Sequence, residues 1–286
     1  MPEMPEVAAL ADYLSANTRG HTIEAIALRS FAALKTFDPP LERLTGRPLK
    51  GWSRRGKFLL LDTDGIWLGL HLARAGWIRW RDQTSIASPR LGKGPVALTV
   101  RLDGGSGFDV TEQGTEKRLA VYVVTDPMAI PGIARLGPDP FDPGYKTAAF
   151  ATRLHEYTGQ LKTVLTDQTA FAGIGNAYSD EILHAARMSP FRRASALTAD
   201  DAAVLHAAIR DVLQAAIDRS THVAAADLKS EKRSGMSVHG RTGEPCPVCG
   251  DTIREVSLTS KTFQYCPTCQ TNGRPLSDRR MSRLLK

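Results

Sequence analysis

The chain has 286 residues, 42% hydrophobic and 23% charged, which is room for one or two domains with buried cores. No apolar run reaches the roughly 18 residues of a membrane span. The N-terminus carries Glu3 and Glu6 before Val7 and no basic segment leading an apolar one, which excludes a secretion signal and assigns the protein to the cytoplasm. The net charge of +7 is uneven: residues 229–286 hold eleven Lys and Arg against five Asp and Glu. Such a segment is the footprint of a polyanion partner, nucleic acid before membrane, or else a solvated surface.

The first stretch, Met1-Pro2-Glu3-Met4-Pro5-Glu6-Val7, offers a nucleophile. A methionine before a small proline is normally trimmed, leaving Pro2 as a secondary amine, and α-amino groups titrate near pH 7.7–8.0, so a useful fraction is free base at neutrality. Glu3 supplies a carboxyl group for proton transfer beside it. The competing reading is a plain helix start, because Pro5 suits a first helical turn and Glu6 its positive end. Val7, Leu10 and Leu14 predict a helix over residues 6–17, with Pro2 and Glu3 on exposed backbone before it.

From residue 22 the pattern turns to strands: 22–28, 58–61, 66–70, 77–80, 96–100 and 119–124, separated by turn signals such as Asp64-Gly65 and Asp103-Gly104-Gly105. This predicts an antiparallel β-sandwich or barrel over residues 2–126. Pro127, Pro131, Pro138, Pro140 and Pro143 then mark a linker, 127–144, that continues neither a central strand nor a helix. Helices are predicted over 147–157, 161–168, 176–187 and 198–218, the last opened by a Thr198/Asp201 capping box. Residues 221–240 read as polar and irregular. The fold class is α+β: a β-sandwich, a helical domain over 145–240, and a small module over 241–286.

That module carries the clearest chemical signal. Cys246-Pro247-Val248-Cys249 and Cys266-Pro267-Thr268-Cys269 are CxxC pairs with sixteen residues between them, the spacing of a four-thiolate zinc site. Ile253, Val256, Leu258, Phe263 and Tyr265 alternate between the pairs and predict a β-hairpin clamped by one zinc ion per chain. Four protein ligands leave no position for water, so the zinc is structural. Two disulfides are the alternative, which a cytoplasmic setting disfavours. Between two predicted helices, Gly173 and Gly175 allow a tight, positive-φ turn, and the helix opening at Asn176 presents free N–H groups and its positive dipole end to a phosphate.

Pro2-Glu3-x-Pro5-Glu6-Val7, Arg55-Gly56-Lys57-Phe58-Leu59, His71-Leu72, Leu136-Gly137-Pro138, Leu161-Lys162, the string Asp167–Glu181, and Gly240-Arg241-x-Gly243-Glu244-Pro245-Cys246 through Cys269-Gln270 occur in one order along the chain. Together they resemble the formamidopyrimidine-DNA glycosylase and endonuclease VIII family. The resemblance implies an N-terminal β-sandwich, a helix-two-turns-helix domain and a zinc finger, with damaged double-stranded DNA running in a basic cleft between the halves. It implies a monomeric bifunctional DNA glycosylase/AP lyase of base-excision repair, nucleoid-associated when bound. Pro2 attacks the sugar, Glu3 handles the ring proton, and Lys57 assists elimination while pairing with a phosphate. Lys162 and Asn176 hold phosphates, His71 lies in the DNA-binding set, and Glu6 and Glu181 orient the N-terminal segment. A damage-binding protein of the same fold without turnover is the rival reading, as is an RNA-binding zinc ribbon.

Three departures bear on lesion choice. Arg74, in His71-Leu72-Ala73-Arg74-Ala75-Gly76, stands where the family has a methionine filling the hole left by the flipped base. The family's Asp-Pro-Arg-Arg-Phe-Gly is replaced by Gly114-Thr115-Glu116-Lys117-Arg118, so the wedge phenylalanine is missing. Arg74 or Arg118 substitutes for the wedge, or both are surface residues and another loop fills the gap. Lys261 stands where the family has a phosphate-clamping arginine, and residues 224–239 are short for a loop that closes over 8-oxoguanine.

Overall fold

The computed structural model describes residues 1–86, 94–257 and 262–276. The chain forms two compact units, Met1–Arg135 with Arg219–Lys229, and Leu136–Asp218 with Ser230–Lys286.

In the first unit, helix α1 spans Met4–Thr18, with Pro5 in its first turn. Val7, Leu10 and Leu14 are fully buried, and Thr18 closes the helix with a 2.7 Å bond to the Leu14 carbonyl. Pro2 and Glu3 precede the helix but are buried, so the expectation of exposed backbone is corrected. Among the described residues eight strands follow: β1 (Ile23–Leu28), β2 (Gly51–Arg55), β3 (Phe58–Asp62), β4 (Trp67–His71), β5 (Gly76–Arg81), β6 (Val96–Leu102), β7 (Gly107–Glu112) and β8 (Ala120–Val124). They pair as two four-stranded antiparallel sheets, ordered β1-β6-β7-β5 and β2-β3-β4-β8. Alternate residues of each sheet meet in one core: Ile78, Leu98, Val100, Phe108 and Val110 from the first, Leu59, Leu61, Leu68, Leu70, Val121 and Val123 from the second. Trp52 and Phe108 join the sheets edge to face at 5.5 Å.

Two strands escaped the hydrophobic pattern. Strand β2 reads Gly-Trp-Ser-Arg-Arg, and the fully buried β7 contains Asp109, Thr111 and Glu112. Burial of Asp109 is tolerated because its carboxylate accepts from Thr99 Oγ1 at 2.8 Å and Arg81 Nε at 3.0 Å. The proline-rich stretch does hold a short helix, α2 (Pro131–Ala134), because a proline at a first helical position loses no intrahelical bond. A side chain at Gly132 would stand 2.5 Å from the Phe58 ring, so glycine lets α2 lie on β3.

The second unit is helical: α3 (Thr147–His155), α4 (Leu161–Thr166), α5 (Asn176–Ala185) and α6 (Ala199–Ser220), whose C-terminal end passes into the first unit. Thr198 and Asp201 form the expected box, with Thr198 N donating to Asp201 Oδ2 at 3.0 Å and Asp201 N to Thr198 Oγ1 at 3.2 Å. The stretch expected to be irregular contains helix α7 (Leu228–Ser234). Ahead of it, Ala225 and Leu228 join the sandwich core, and the Trp77 indole donates to the Ala225 carbonyl at 2.8 Å. Strands β9 (Arg254–Ser257) and β10 (Thr262–Tyr265) make the predicted hairpin, followed by α8 (Pro267–Thr271).

Candidate active site and metal centre

The N-terminal segment is fixed by its own carboxylates. Glu3 N–H donates to Glu6 Oε2 at 2.8 Å, and the Glu3 carbonyl accepts from Val7 N–H at 3.0 Å. Glu6, in the first helical turn, thus grips the residue that follows Pro2. Met1 precedes them and is half exposed.

Lys57 lies in the two-residue β2–β3 turn with Gly56, whose φ is +54°. It is buried, and the β3–β4 register sets its neighbour Phe58 opposite His71, with ring centroids 4.7 Å apart. Burial, and then the Lys57 charge, push the His71 imidazole down to about 4. The strand register therefore brings Lys57 and His71 together, and His71 is neutral at pH 7.

Arg74 is exposed on the β4–β5 turn, after Ala73 with φ +50°. Arg118 ends the β7–β8 loop, its side chain 67% exposed and 3.3 Å from Glu116. The two turns touch, because Gln113 N–H donates to the Ala75 carbonyl at 3.2 Å. Glu112, buried at the end of β7, anchors the second loop by accepting from the N–H groups of Arg118 (2.7 Å) and Leu119 (2.8 Å). Nothing in the sequence pattern marked Glu112 for that task.

In the second unit the helix-opening turn differs from expectation in one detail. Gly173 has φ +90°, whereas Gly175, the N-cap of α5, is extended at φ −125°. Gln168 closes the turn, accepting from Gly173 N–H at 2.9 Å and donating to the Ile174 carbonyl at 2.8 Å. Asn176 begins α5, and its amide donates to the Thr262 carbonyl at 2.8 Å.

Two charged side chains of this unit have partners that the sequence did not show. Lys162, expected to hold a phosphate, is 4% exposed, and its ammonium donates to Asn176 O (2.6 Å), Ser179 Oγ (2.8 Å) and Asp180 Oδ1 (2.5 Å). Glu181 holds residues 237–239: its two oxygens accept from the N–H groups of Ser237 (2.7 Å), Val238 (3.0 Å) and His239 (2.8 Å). Asp180, unassigned from the sequence, is fully buried and also accepts from His239 Nδ1 at 2.6 Å. Its place beside Glu181 in the Asp167–Glu181 string was the available signal. Lys261 lies outside the described residues.

The four cysteines converge. All four Sγ atoms lie within 4.8 Å of one another, with Cys249–Cys266 at 3.4 Å and Cys246–Cys269 at 3.9 Å. A zinc–thiolate distance of about 2.3 Å requires tetrahedral sulfur separations of about 3.8 Å, so the donor set fits that metal. Two turns shape the cage, Gly250 N–H to the Cys246 carbonyl at 2.9 Å and Gln270 N–H to the Cys266 carbonyl at 3.0 Å. The buried His184 ring nitrogen stands 3.3 Å from Cys246 Sγ, a supporting contact of the kind that fixes a thiolate ligand.

Comparison with known proteins agrees with this architecture. Residues 1–114 match the formamidopyrimidine-DNA glycosylase N-terminal domain, 136–226 the formamidopyrimidine-DNA glycosylase H2TH domain, and 243–272 the zinc finger found in FPG and IleRS. The fold and cysteine cluster therefore define a three-part chain of α+β class: antiparallel sheets, H2TH helices and zinc-finger strands. Formamidopyrimidine-DNA glycosylase of Geobacter sulfurreducens is 32% identical over 276 residues, covering 94% of this chain and 100% of that one. An uncharacterized formamidopyrimidine-DNA glycosylase-like protein of Mycobacterium tuberculosis is 60% identical over 151 residues, 53% of this chain and 94% of its own. The Lactococcus lactis formamidopyrimidine-DNA glycosylase bound non-covalently to DNA containing an AP site superposes with a TM-score of 0.80 at 26% identity, covering 94% of this chain and 99% of that one. The chain belongs to the formamidopyrimidine-DNA glycosylase family.

Proposed function

We propose that the chain is a bifunctional DNA glycosylase/AP lyase that removes oxidised or ring-opened bases from duplex DNA. The observation that carries the reading is the start of α1, where Pro2 and Glu3 are buried and locked by the Glu6 carboxylate in a chain of this family. Binding alone has no need of an N-terminal proline amine, which removal of Met1 would expose.

A damaged nucleotide is turned out of the stack, and the Pro2 nitrogen attacks the sugar C1′. Glu3 donates a proton to the ring oxygen as the sugar opens, the base leaves, and the amine lone pair forms an iminium between enzyme and DNA. The iminium acidifies the C2′ proton; its removal expels the 3′ phosphate and cuts the strand. Lys57 is the cation that assists there, with neutral His71 beside it adding no competing charge. Asn176 at the start of α5 and Lys261 in the finger contact phosphates. Arg74 and Arg118, on two touching turns, occupy or flank the hole left by the base. Zinc held by Cys246, Cys249, Cys266 and Cys269 supplies folding energy to the finger. The chain acts as a monomer on damaged double-stranded DNA. With the wedge rebuilt from arginines, 8-oxoguanine is a poorer substrate than ring-opened purines, oxidised pyrimidines or abasic sites.

Borohydride trapping tests the reading. Protein with a free Pro2 should form a covalent adduct with abasic DNA, and protein retaining Met1 should bind without forming one, because an amide nitrogen has no available lone pair. Glu3→Gln should keep part of the trapping but lose base excision by roughly 10²–10⁴-fold. An adduct mapped by mass spectrometry to a lysine would overturn the assignment.

A further inference from the structure

Three consecutive residues of strand β10 are each held by the first turn of α5 or by the lysine behind it. Thr262 O accepts from the Asn176 amide at 2.8 Å, the Phe263 ring lies 5.8 Å from the Lys162 ammonium, and Gln264 N–H donates to Asp180 Oδ2 at 3.3 Å. Lys162 ties that turn together from inside, through the Asn176 carbonyl at 2.6 Å and Asp180 at 2.5 Å. The other Asp180 oxygen draws in His239 at 2.6 Å, and Gln264 reaches on to Gly240 N–H at 3.2 Å and Glu255 at 2.8 Å. Lys162 and Asp180 are 4% and 0% exposed, so their charges neutralise each other away from water.

We infer that Lys162 is a positioning residue, the cation of a buried Lys162–Asp180–His239 clamp that fixes β10 of the finger against the start of α5. Thr262 opens β10, so the clamp grips the finger's second strand from its first residue. This role rests on the DNA-binding function proposed above. It differs from phosphate binding by Lys162 itself, which would require an ammonium with a donor to spare.

The experiment uses the full zinc-loaded chain and a duplex carrying an abasic analogue. Lys162→Met should weaken binding by roughly tenfold and leave the slope of log affinity against log salt unchanged, whereas loss of a direct phosphate contact lowers that slope by about 0.9. Hydrogen exchange at Gln264 should accelerate by roughly tenfold in the free protein, with zinc content unchanged. Asp180→Asn is the second variant: every lysine and arginine remains and one negative charge is gone, so simple electrostatics predicts tighter binding and the clamp predicts weaker. A reduced slope in Lys162→Met, tighter binding by Asp180→Asn, or unchanged exchange at Gln264 would each overturn the inference. Failure of the unaltered protein to bind the duplex would instead sink the proposed function, and the exchange measurement, made without DNA, would still decide the clamp.

Discussion

Acidification should weaken the first unit through His71, and the size of the effect follows from its surroundings. Burial, with Lys57 adding to it, lowers the imidazole from 6.5 to about 4. The folded state therefore binds this proton less readily than the unfolded chain does. The stability contribution is complete above the unfolded value of 6.5, declines as pH falls, and is fully lost below about 4. The full shift corresponds to about 3.4 kcal/mol, and integration between pH 7 and pH 5 gives a loss of about 2 kcal/mol. Urea unfolding followed by tryptophan fluorescence isolates the effect, because Trp52, Trp67, Trp77 and Trp80, the chain's four tryptophans, all lie in the first unit. A non-titrating variant, His71→Asn, removes other groups from the comparison. The wild-type advantage over that variant should shrink by about 2 kcal/mol on going from pH 7 to pH 5. A constant difference between the two proteins, or an imidazole resonance titrating above pH 6, would refute the reasoning.

Three further outcomes are expected. Cys249→Ser should abolish stoichiometric zinc binding and unfold the finger while the tryptophan unfolding transition of the first unit stays in place, and full zinc content in the variant by metal analysis would refute the four-thiolate assignment. Glu181→Gln replaces one acceptor oxygen with an amide NH2 facing a backbone N–H and removes charge assistance from the other bonds, so protection of the amides of residues 237–239 should fall by roughly 2–4 kcal/mol in hydrogen exchange. Trp77→Phe leaves the Ala225 carbonyl unpaired, at about 1–2 kcal/mol, and should speed tryptic cleavage at Arg219 and Lys229; an unchanged cleavage rate would show that the indole bond does not hold this segment.

The parts of the molecule legible in the sequence are those where one residue type admits one environment. Two CxxC pairs predict a sulfur cage because the donors are local to two turns, and Val7, Leu10 and Leu14 predict a buried helical face because apolar periodicity has few other uses. Strand β7 was hidden because Asp109 and Glu112 look like surface residues until Thr99, Arg81 and the Arg118 and Leu119 amides are seen to satisfy them. The protein partners of Lys162 were hidden for the same reason. A lysine in a DNA-binding motif reads as a phosphate ligand, and only the fold shows that Asp180 and Ser179 occupy its donors. The bonds of Glu181 were likewise hidden, since capping of residues 237–239 by a carboxylate more than fifty residues earlier leaves no trace in local pattern. Charge identifies a residue's chemistry and leaves open whether water, protein or ligand will meet it.

The return of residues 219–229 to the first unit has a consequence for synthesis. As the nascent chain leaves the ribosome, both sheets are complete once residue 135 has emerged, yet the Trp77 indole lacks its acceptor until Ala225 follows about 90 residues later. At the roughly 5–20 residues per second of translation, the edge of the sandwich beside β5 stays uncovered for about 5 to 18 seconds. During that interval the sandwich is a nearly finished domain with an apolar margin that only its own later sequence covers. A chain whose synthesis ended between those points would leave exposed a margin that the completed chain covers.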